Sequence, residues 1–295
     1  MRRLVLSLLA ALPLACGGDS PTGTSAPASP SSVSPGSTGD TFTVMTFNIQ
    51  HGLNNDGTYD LKWSVAAIAA LHPDLVGVQE LTRNHPYYNC EDQPARIAEA
   101  LRAATGRPWS AVYHQEWTTT VLDCHGDGPE TEGIGFFAPA PIAEDSSVPL
   151  WASRLGVKTT MRARTAVSVI VTHLASGKLP ADSNDRQRQL GTLLPWTMSQ
   201  GSPRLLVCDC NFAPDAPEYQ QLRALYRDAW ADAVAAGTAK GRMDGITHKS
   251  SRIDYVFYEG TPALELVSVE NVDTRALTGT EASDHRPLLA TFRIR

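Results

Sequence analysis

The chain has no hydrophobic run long enough for a mature membrane helix, no excess of basic charge, no zinc-spaced cysteines and no repeat of fixed period. Each absence removes an explanation. The longest apolar stretch, residues 4–14, falls well short of the roughly 20 residues that span a bilayer. Lys and Arg number 25 against 31 Asp and Glu, for a formal charge of −6, so the protein does not cling to nucleic acid through a broad basic surface. The five cysteines stand at 16, 90, 124, 208 and 210, without the paired spacing of a zinc site. Lack of a repeat rules out a solenoid. What remains is ordinary globular composition, 42% hydrophobic and 19% charged over 295 residues, enough to bury a sizeable core.

The amino terminus reads as an address. Met1-Arg2-Arg3 followed by an apolar run and small residues has the layout of an export signal over residues 1–15. Cys16, after Leu14-Ala15, resembles the modified cysteine of bacterial lipoproteins, although Pro13 stands where those signals usually carry Leu. The expected localisation is therefore extracytoplasmic, as a cell-surface lipoprotein anchored through Cys16 or as a secreted protein. Residues 16–40 are almost entirely Gly, Ser, Thr, Pro and Ala, too poor in apolar side chains to offset ordering, and read as a disordered linker. One folded domain, expected to be a monomer, should occupy residues 41–295. In an oxidising compartment Cys90 and Cys124, each in a polar loop, are predicted to join. Cys208 and Cys210 flank Asp209; a bridge across a single residue strains disulfide geometry, so they are expected to be small buried hydrophobes.

Along the chain, alternation over residues 42–47 predicts a strand delivering Asn48, and the apolar residues 75–78 a buried strand ending in Gln79-Glu80. Between them, Asp60 caps a helix with Leu61, Val65, Ile68 and Leu71 on one face. A second helix runs from about Pro94 to Gly106. Strands follow over 109–113, 132–137 and 165–172, the last delivering His173. Helices over 183–194 and 218–225 bracket the strand 205–208, which ends in Asp209 and Asn211. Strands over 253–258, 264–272 and 288–294 complete the set. Asn48, Glu80, His173 and Asp209 thus lie at carboxyl ends of strands, whereas Asp254 and Asp284-His285 lie at amino ends. If the later strands run antiparallel to the earlier ones, both sets meet at one rim.

Glu80, Asp209, Asn48 and Asn211 offer hard oxygen ligands that suit Mg²⁺, Mn²⁺ or Ca²⁺. In an extended segment positions i and i+2 share a side, so Asp209 and Asn211 aim at one place. His173 and His285 titrate near neutrality, and Asp254 or Asp284 can fix a tautomer. Taken singly these are bland: a surface carboxylate at Glu80, a strand-end histidine at 173, Asp254 paired with nearby Arg252. Together they suit attack of water on a phosphoryl group.

Thr46-Phe47-Asn48-Ile49, Gln79-Glu80, Thr172-His173-Leu174, Asp209-x-Asn211-Phe212, Arg252-Ile253-Asp254-Tyr255-Val256-Phe257 and Ser283-Asp284-His285-Arg286-Pro287 resemble, in order, the motifs of the endonuclease/exonuclease/phosphatase family. The resemblance implies a four-layer α/β sandwich of two mixed β-sheets flanked by helices. It implies that Glu80 binds the catalytic Mg²⁺ beside Asn48, with Asp284 close to the metal, and that Asp209 and Asn211 orient the water and the phosphate. By the same resemblance His285, oriented by Asp254, is the general base, and His173 contacts the scissile phosphate or aids the leaving group. Two departures stand out. Cys208-Asp209-Cys210-Asn211 replaces the usual Gly-Asp-Phe-Asn, and residues 135–142 replace a small-polar strand, so no phosphate-binding residue is assigned there. His51-Gly52 resembles a subgroup of secreted and lipid-associated members, with His51 either a ligand or a loop histidine.

The expected activity is divalent-metal-dependent phosphodiester hydrolysis, with nucleic acid as substrate in the manner of a deoxyribonuclease. The negative charge weakens a DNA-binding module more than a nuclease, which must release polyanionic products. A phospholipid or phosphomonoester hydrolase of the sphingomyelinase kind is the alternative, and a noncatalytic binding protein on the same scaffold is the alternative of another class. Arg83, Arg162, Arg164, Arg186 and Arg188 are candidate backbone contacts for nucleic acid, and Tyr87, Tyr88 and Trp117 either form a small aromatic patch for lipid or pack against the Cys90–Cys124 staple.

Overall fold

The structure is a computed structural model and describes residues 41–124 and 128–295. The export signal, Cys16 and the linker lie outside the described residues.

Strands β1 (Thr41–Asn48) and β2 (Leu75–Arg83) are joined through α1 (Lys62–Leu71) and pair in parallel, Val44 opposite Leu75. Asp60 accepts from the Lys62 amide at the entry to α1, and Asp92 caps α2 (Gln93–Thr105), which ends on left-handed Gly106. The hairpin β3 (Ser110–Asp123) and β4 (Pro129–Ala138) is longer than the sequence suggests. Then come β5 (Asp145–Pro149), β6 (Leu155–Arg162), β7 (Ala166–His173), α3 (Pro180–Met198), β8 (Arg204–Asp209), α4 (Pro217–Arg223), β9 (Arg227–Asp228), α5 (Ala229–Ala236) and β10 (Ala239–Gly241). The chain closes with β11 (Asp254–Tyr258), β12 (Leu264–Asn271), α6 (Arg275–Thr278) and β13 (Leu288–Ile294).

Two mixed sheets result, ordered β10-β12-β13-β1-β2-β4-β3 and β5-β6-β7-β8-β11-β9. Phe42 and Val44 of β1, Val167, Val169 and Val171 of β7, Leu205 and Val207 of β8 and Val256 of β11 share one core between the sheets. The opposite faces bury Met45, Phe47, Val76 and Val78 with α1 and α2, and Ile170, Leu206, Tyr255 and Phe257 with α3 and α4. That is the expected four-layer sandwich. The sheets approach so closely at Gly77 that a Cβ there would lie 2.5 Å from Val207 Cγ2.

Alternation then carries the functional residues inward. Asn48 follows Phe42 and Val44 at period two, Asp209 follows Leu205 and Val207, and His173 follows Val169 and Val171; Asp254 precedes Val256. Antiparallel β11 sets Asp254 opposite Asp209, and parallel β7 sets His173 beside it. The anticipated antiparallel return is therefore present, and it gathers the two sets at one rim.

Glu80 breaks the pattern instructively. By alternation it would share the helix-facing side of Val76 and Val78. A β-bulge between Val78 and Leu81 inserts one residue, and Glu80 takes a left-handed φ of 59°. The bulge re-aims its carboxylate to the rim.

The cysteines give one agreement and one correction. Cys90–Cys124 is a disulfide, as expected. Cys208 and Cys210 are also bridged, with Cα atoms 5.1 Å apart. The strand ends at Asp209 and the chain turns at left-handed Asn211, so the two residues lie closer than two positions of an extended strand and within disulfide reach.

Candidate active site

Asp209 is the centre of the site. Its Oδ2 accepts from Asn48 Nδ2 at 2.9 Å, its Oδ1 from the Asn211 amide at 3.1 Å, and His173 Nε2 stands 3.3 Å from Oδ2. Burial pushes its carboxyl up to about 7, against the pull of His285. The same Asn48 amide reaches Glu80 Oε1 at 2.9 Å, so one donor ties the carboxylates of the two sheets together.

His285 is 6% exposed. Its Nδ1 donates to Asp254 Oδ2 at 2.9 Å, leaving Nε2 3.7 Å from Asp209 Oδ2 and 3.9 Å from Asp284 Oδ1. Burial opposes a charge on this ring, but Asp254 and Asp209 push its pKa up to about 10. Of the pair, the imidazole is thus the stronger base, and a proton in this pocket rests on His285 rather than Asp209. Ser283 Oγ fixes the segment, donating to the Asn48 carbonyl and accepting from the His285 amide.

His173 is held differently. Arg154 Nη1 donates to its Nδ1 at 3.1 Å, so Nδ1 accepts and the ring hydrogen sits on Nε2, facing Asp209. Burial, and then the charge of Arg154, keep its pKa well below the usual histidine value, so the ring is neutral. Arg154 is anchored in turn by Glu116 at 2.9 Å and lies over the Trp117 ring, 4.3 Å from its centroid.

The sequence reading misses this Arg154–Glu116 support, because nothing in a lone Arg before β6 or a lone Glu in β3 points to His173. It also misses His248, which stacks on His285 with ring centroids 4.4 Å apart and stands 3.2 Å from Asp284 Oδ2. Asp284 feels burial raising its pKa, yet the contact with His248 and the charge of His285 hold it below the ordinary value. A third omission is Glu132, 2.9 Å from His51 Nε2, which in turn lies 3.6 Å from Glu80 Oε2. The only sequence signal was the i, i+2 pair Glu130 and Glu132 on β4. Glu130 meets His85 at 2.6 Å. Burial opposes a charge on His51, but Glu132 and Glu80 raise its pKa.

All eight candidate residues meet at this rim or border it. Among the described residues three overlapping groups have ligand-type atoms within 4.8 Å of one another: Glu80, His173 and Asp209; Asp209, Asp254 and His285; His248, Asp284 and His285. The oxygens of Glu80, Asp209 and Asp284 suit a hard divalent cation, and the buried Asp254 Oδ1 has no protein partner among the described residues. Asn48 turns its nitrogen to the carboxylates and its oxygen to the Gln50 amide, so it offers an oxygen ligand only after its amide rotates by half a turn.

Other candidates are corrected. Arg186 is buried, bound to Glu218 at 3.0 Å and to the carbonyls of Ala175 and Gly177, and is not a surface contact. Arg83, Arg162 and Arg188 pair with Asp92, Glu144 and Asp185 yet stay at the surface, so nothing in the structure overturns them as backbone contacts. Arg252 binds Asp228 at 2.6 Å rather than Asp254. Tyr87 is exposed, whereas Tyr88 stacks on His51 and Trp117 lies under Arg154, so they form no common patch. Among the described residues no helix is long and apolar enough to cross a membrane.

Comparison with known proteins agrees with this geometry. No curated protein matches the chain. Similar solved structures include an endonuclease/exonuclease/phosphatase from Beutenbergia cavernae, at 24% identity and a TM-score of 0.67 over 86% of this chain and 72% of that one. The human Nocturnin catalytic domain with bound sulfate matches at 18% identity and a TM-score of 0.62, over 87% of this chain and 96% of that one. ANGEL2, a 2′,3′-cyclic phosphatase, matches at 15% identity and a TM-score of 0.61, over 86% and 95%. These likenesses establish the fold. The family model described as Endonuclease/Exonuclease/phosphatase family matches residues 45–285, a span that begins three residues before Asn48 and ends on His285, and the chain therefore belongs to that family of phosphoric ester hydrolases.

Proposed function

We propose that the protein is an exported, divalent-cation-dependent phosphodiesterase that cleaves nucleic acid in the manner of a deoxyribonuclease. The observation that carries this reading is the continuous line of contacts Asp254–His285–Asp209–Asn48–Glu80, which crosses from one sheet to the other. Glu80 would hold Mg²⁺, with Asp284 as a neighbouring oxygen donor and Asn48 as another once its amide has turned by half a turn, and the ion would supply charge neutralisation at the phosphate. Asp254 fixes His285 with Nδ1–H donated and Nε2 presented. Near pH 7 that ring keeps its proton while Asp209 and Asp284 are uncompensated; offsetting their charge lowers its pKa and frees Nε2 to accept.

The water oxygen then attacks phosphorus as its proton passes to Nε2, and the bond from phosphorus to the leaving oxygen breaks. That oxygen takes a proton in its turn. His173 presents a neutral Nε2–H, and Asn211, with one amide hydrogen donated to the Leu174 carbonyl, keeps the other for a phosphate oxygen. Export through residues 1–15, with Cys16 as anchor or as the start of a secreted linker, belongs to the same reading and accords with two disulfides in the fold. The test is Mg²⁺-dependent nicking of plasmid DNA by the purified protein, beside release of phosphocholine from sphingomyelin vesicles, with EDTA as blank. Nicking with intact vesicles is expected; phosphocholine release with intact plasmid would move the protein to the lipid-directed alternative.

A further inference from the structure

Beside Asn211 lies a cleft of about 280 Å³, lined by Ser176, Gly177, Lys178, Asn211, residues 248–251 and Ile253. Its lining carries two lysines, three serine hydroxyls and His248, in a protein whose formal charge is −6; the carboxylates behind it are engaged, Asp182 beside Gly177 with the Leu179 amide and Asp284 with His248. Among the described residues, neither Lys178 nor Lys249 forms an ion pair within 4.0 Å, although the charge of Lys249 reaches Asp284 and helps lower its pKa; the arginines near the site are committed to acidic partners at close range. Both walls are built. Arg186, buried beneath one, ties down the carbonyls of Ala175 and Gly177. The other is a tight turn in which His248 and Ser251 exchange backbone hydrogen bonds, while His248 also bridges to His285. The lining adjoins the chemistry directly, through Asn211 and through Ile253, the residue before Asp254.

We infer that this cleft receives the phosphate adjacent to the scissile one, and so selects substrates in which phosphodiesters follow one another along a chain. Two ammonium groups without a close ion-pair partner and several hydroxyls recognise an anionic tetrahedral group without reading a base. A diester with a single phosphate gains nothing from them. The inference rests on the phosphodiesterase reading above and adds to it a second phosphate subsite.

The test compares the full chain with its Lys178→Ala/Lys249→Ala double variant and a Lys178→Arg/Lys249→Arg control. With Mg²⁺, kcat/KM is measured on the octanucleotide d(T)8 and on bis-p-nitrophenyl phosphate; in EDTA, binding of fluorescein-labelled d(T)8 is followed across salt concentration. The Ala variant is expected to lose about tenfold in kcat/KM on d(T)8, through KM, and less than twofold on the single-phosphate ester. Its binding should weaken and the slope of log K against log salt should flatten by roughly 1. The Arg control should keep most of both. Equal losses on the two substrates, or unchanged d(T)8 binding and cleavage, would overturn the inference while leaving the phosphodiesterase reading in place. Absence of hydrolysis in the parent protein, with d(T)8 binding still lost in the Ala variant, would sink that reading and keep the cleft as an anion site.

Discussion

Glu80, Glu130 and Glu132 crowd the rim of the first sheet with His51, His85 and Tyr88 packed among them, whereas the loops on the rim of the second sheet bring Lys178 and Lys249 to a cleft whose neighbouring carboxylates are engaged elsewhere. The first rim is built from strands, a bulge and stacked rings, and Cys90–Cys124 staples it. The second is built from exposed turns. Rigid, half-buried carboxylates suit a small cation that needs fixed ligands; exposed lysines on short turns suit a polyanion that must enter and leave. Asp209 and His285 sit where the two meet, and their substitution should give the largest effect. Asp209→Asn and His285→Ala should each lower kcat with Mg²⁺ by about 10³-fold or more, with the folded state retained in the circular dichroism spectrum. Ordinary activity in either would detach that residue from the chemistry.

That junction was legible in the sequence because it obeys alternation: Asn48, His173, Asp209 and Asp254 each continue an apolar period-two pattern into the space between the sheets. Glu80 was recognised from its motif, but its aim depends on a bulge that no pattern announces. His248, Arg154 and Glu132 were illegible for a plainer reason. Each acts through a contact far along the chain, and a lone His, Arg or Glu in a polar segment carries no periodic signal. The strand β6 is faint in the sequence although Val157, Thr159 and Met161 alternate, because Lys158 and Arg162 dilute its apolar content. Helix α5 is bounded by an Asp228 cap and a Gly237 stop, both legible as helix signals.

The next effect lies in the staple of the first rim. Cys90–Cys124 closes a separation of 34 residues, for which loop-closure entropy predicts roughly 4 kcal/mol. The double Ser variant should therefore melt about 10 °C lower, and Mg²⁺ affinity should weaken with it if the staple holds His51 and Glu80 in place. A lower melting temperature with unchanged Mg²⁺ affinity would make the crosslink a purely global brace.

The contrast also predicts a pH dependence. His285 has a folded pKa raised from 6.5 to about 10 by Asp254 and Asp209 against the effect of burial. It therefore contributes stability that is complete below pH 6.5 and lost as pH rises toward 10. In EDTA the melting temperature should fall across that window, and His285→Gln should flatten the fall. A slope that survives the substitution would place the responsible proton elsewhere. More gently, Glu132→Gln should weaken apparent Mg²⁺ affinity by about tenfold through loss of the His51 contact, with kcat at saturating Mg²⁺ retained. An unchanged titration would remove the His51–Glu132 pair from cation binding.

The smallest expected effect tests the second sheet's own crosslink. Cys208–Cys210 spans a separation of 2, so the same entropy argument gives only about 1.5 kcal/mol at most. Both sulfurs are buried against Leu206, Phe212 and Tyr255 on the helix-facing side, opposite Asp209. The Cys208→Ala/Cys210→Ala variant should thus lose little stability, much less than the Cys90–Cys124 variant. Its informative reading is activity. The bridge ties the residue before Asp209 to the residue before Asn211, whose left-handed backbone and amide bond to Asp209 Oδ1 set the strand end. If the bridge holds that turn, kcat should fall severalfold with KM for Mg²⁺ unchanged, because Glu80 belongs to the other sheet. Full activity would mean that the hydrogen bonds of Asn211 to Asp209 and Leu174 already hold the strand end, and that the two cysteines serve this protein as packing alone.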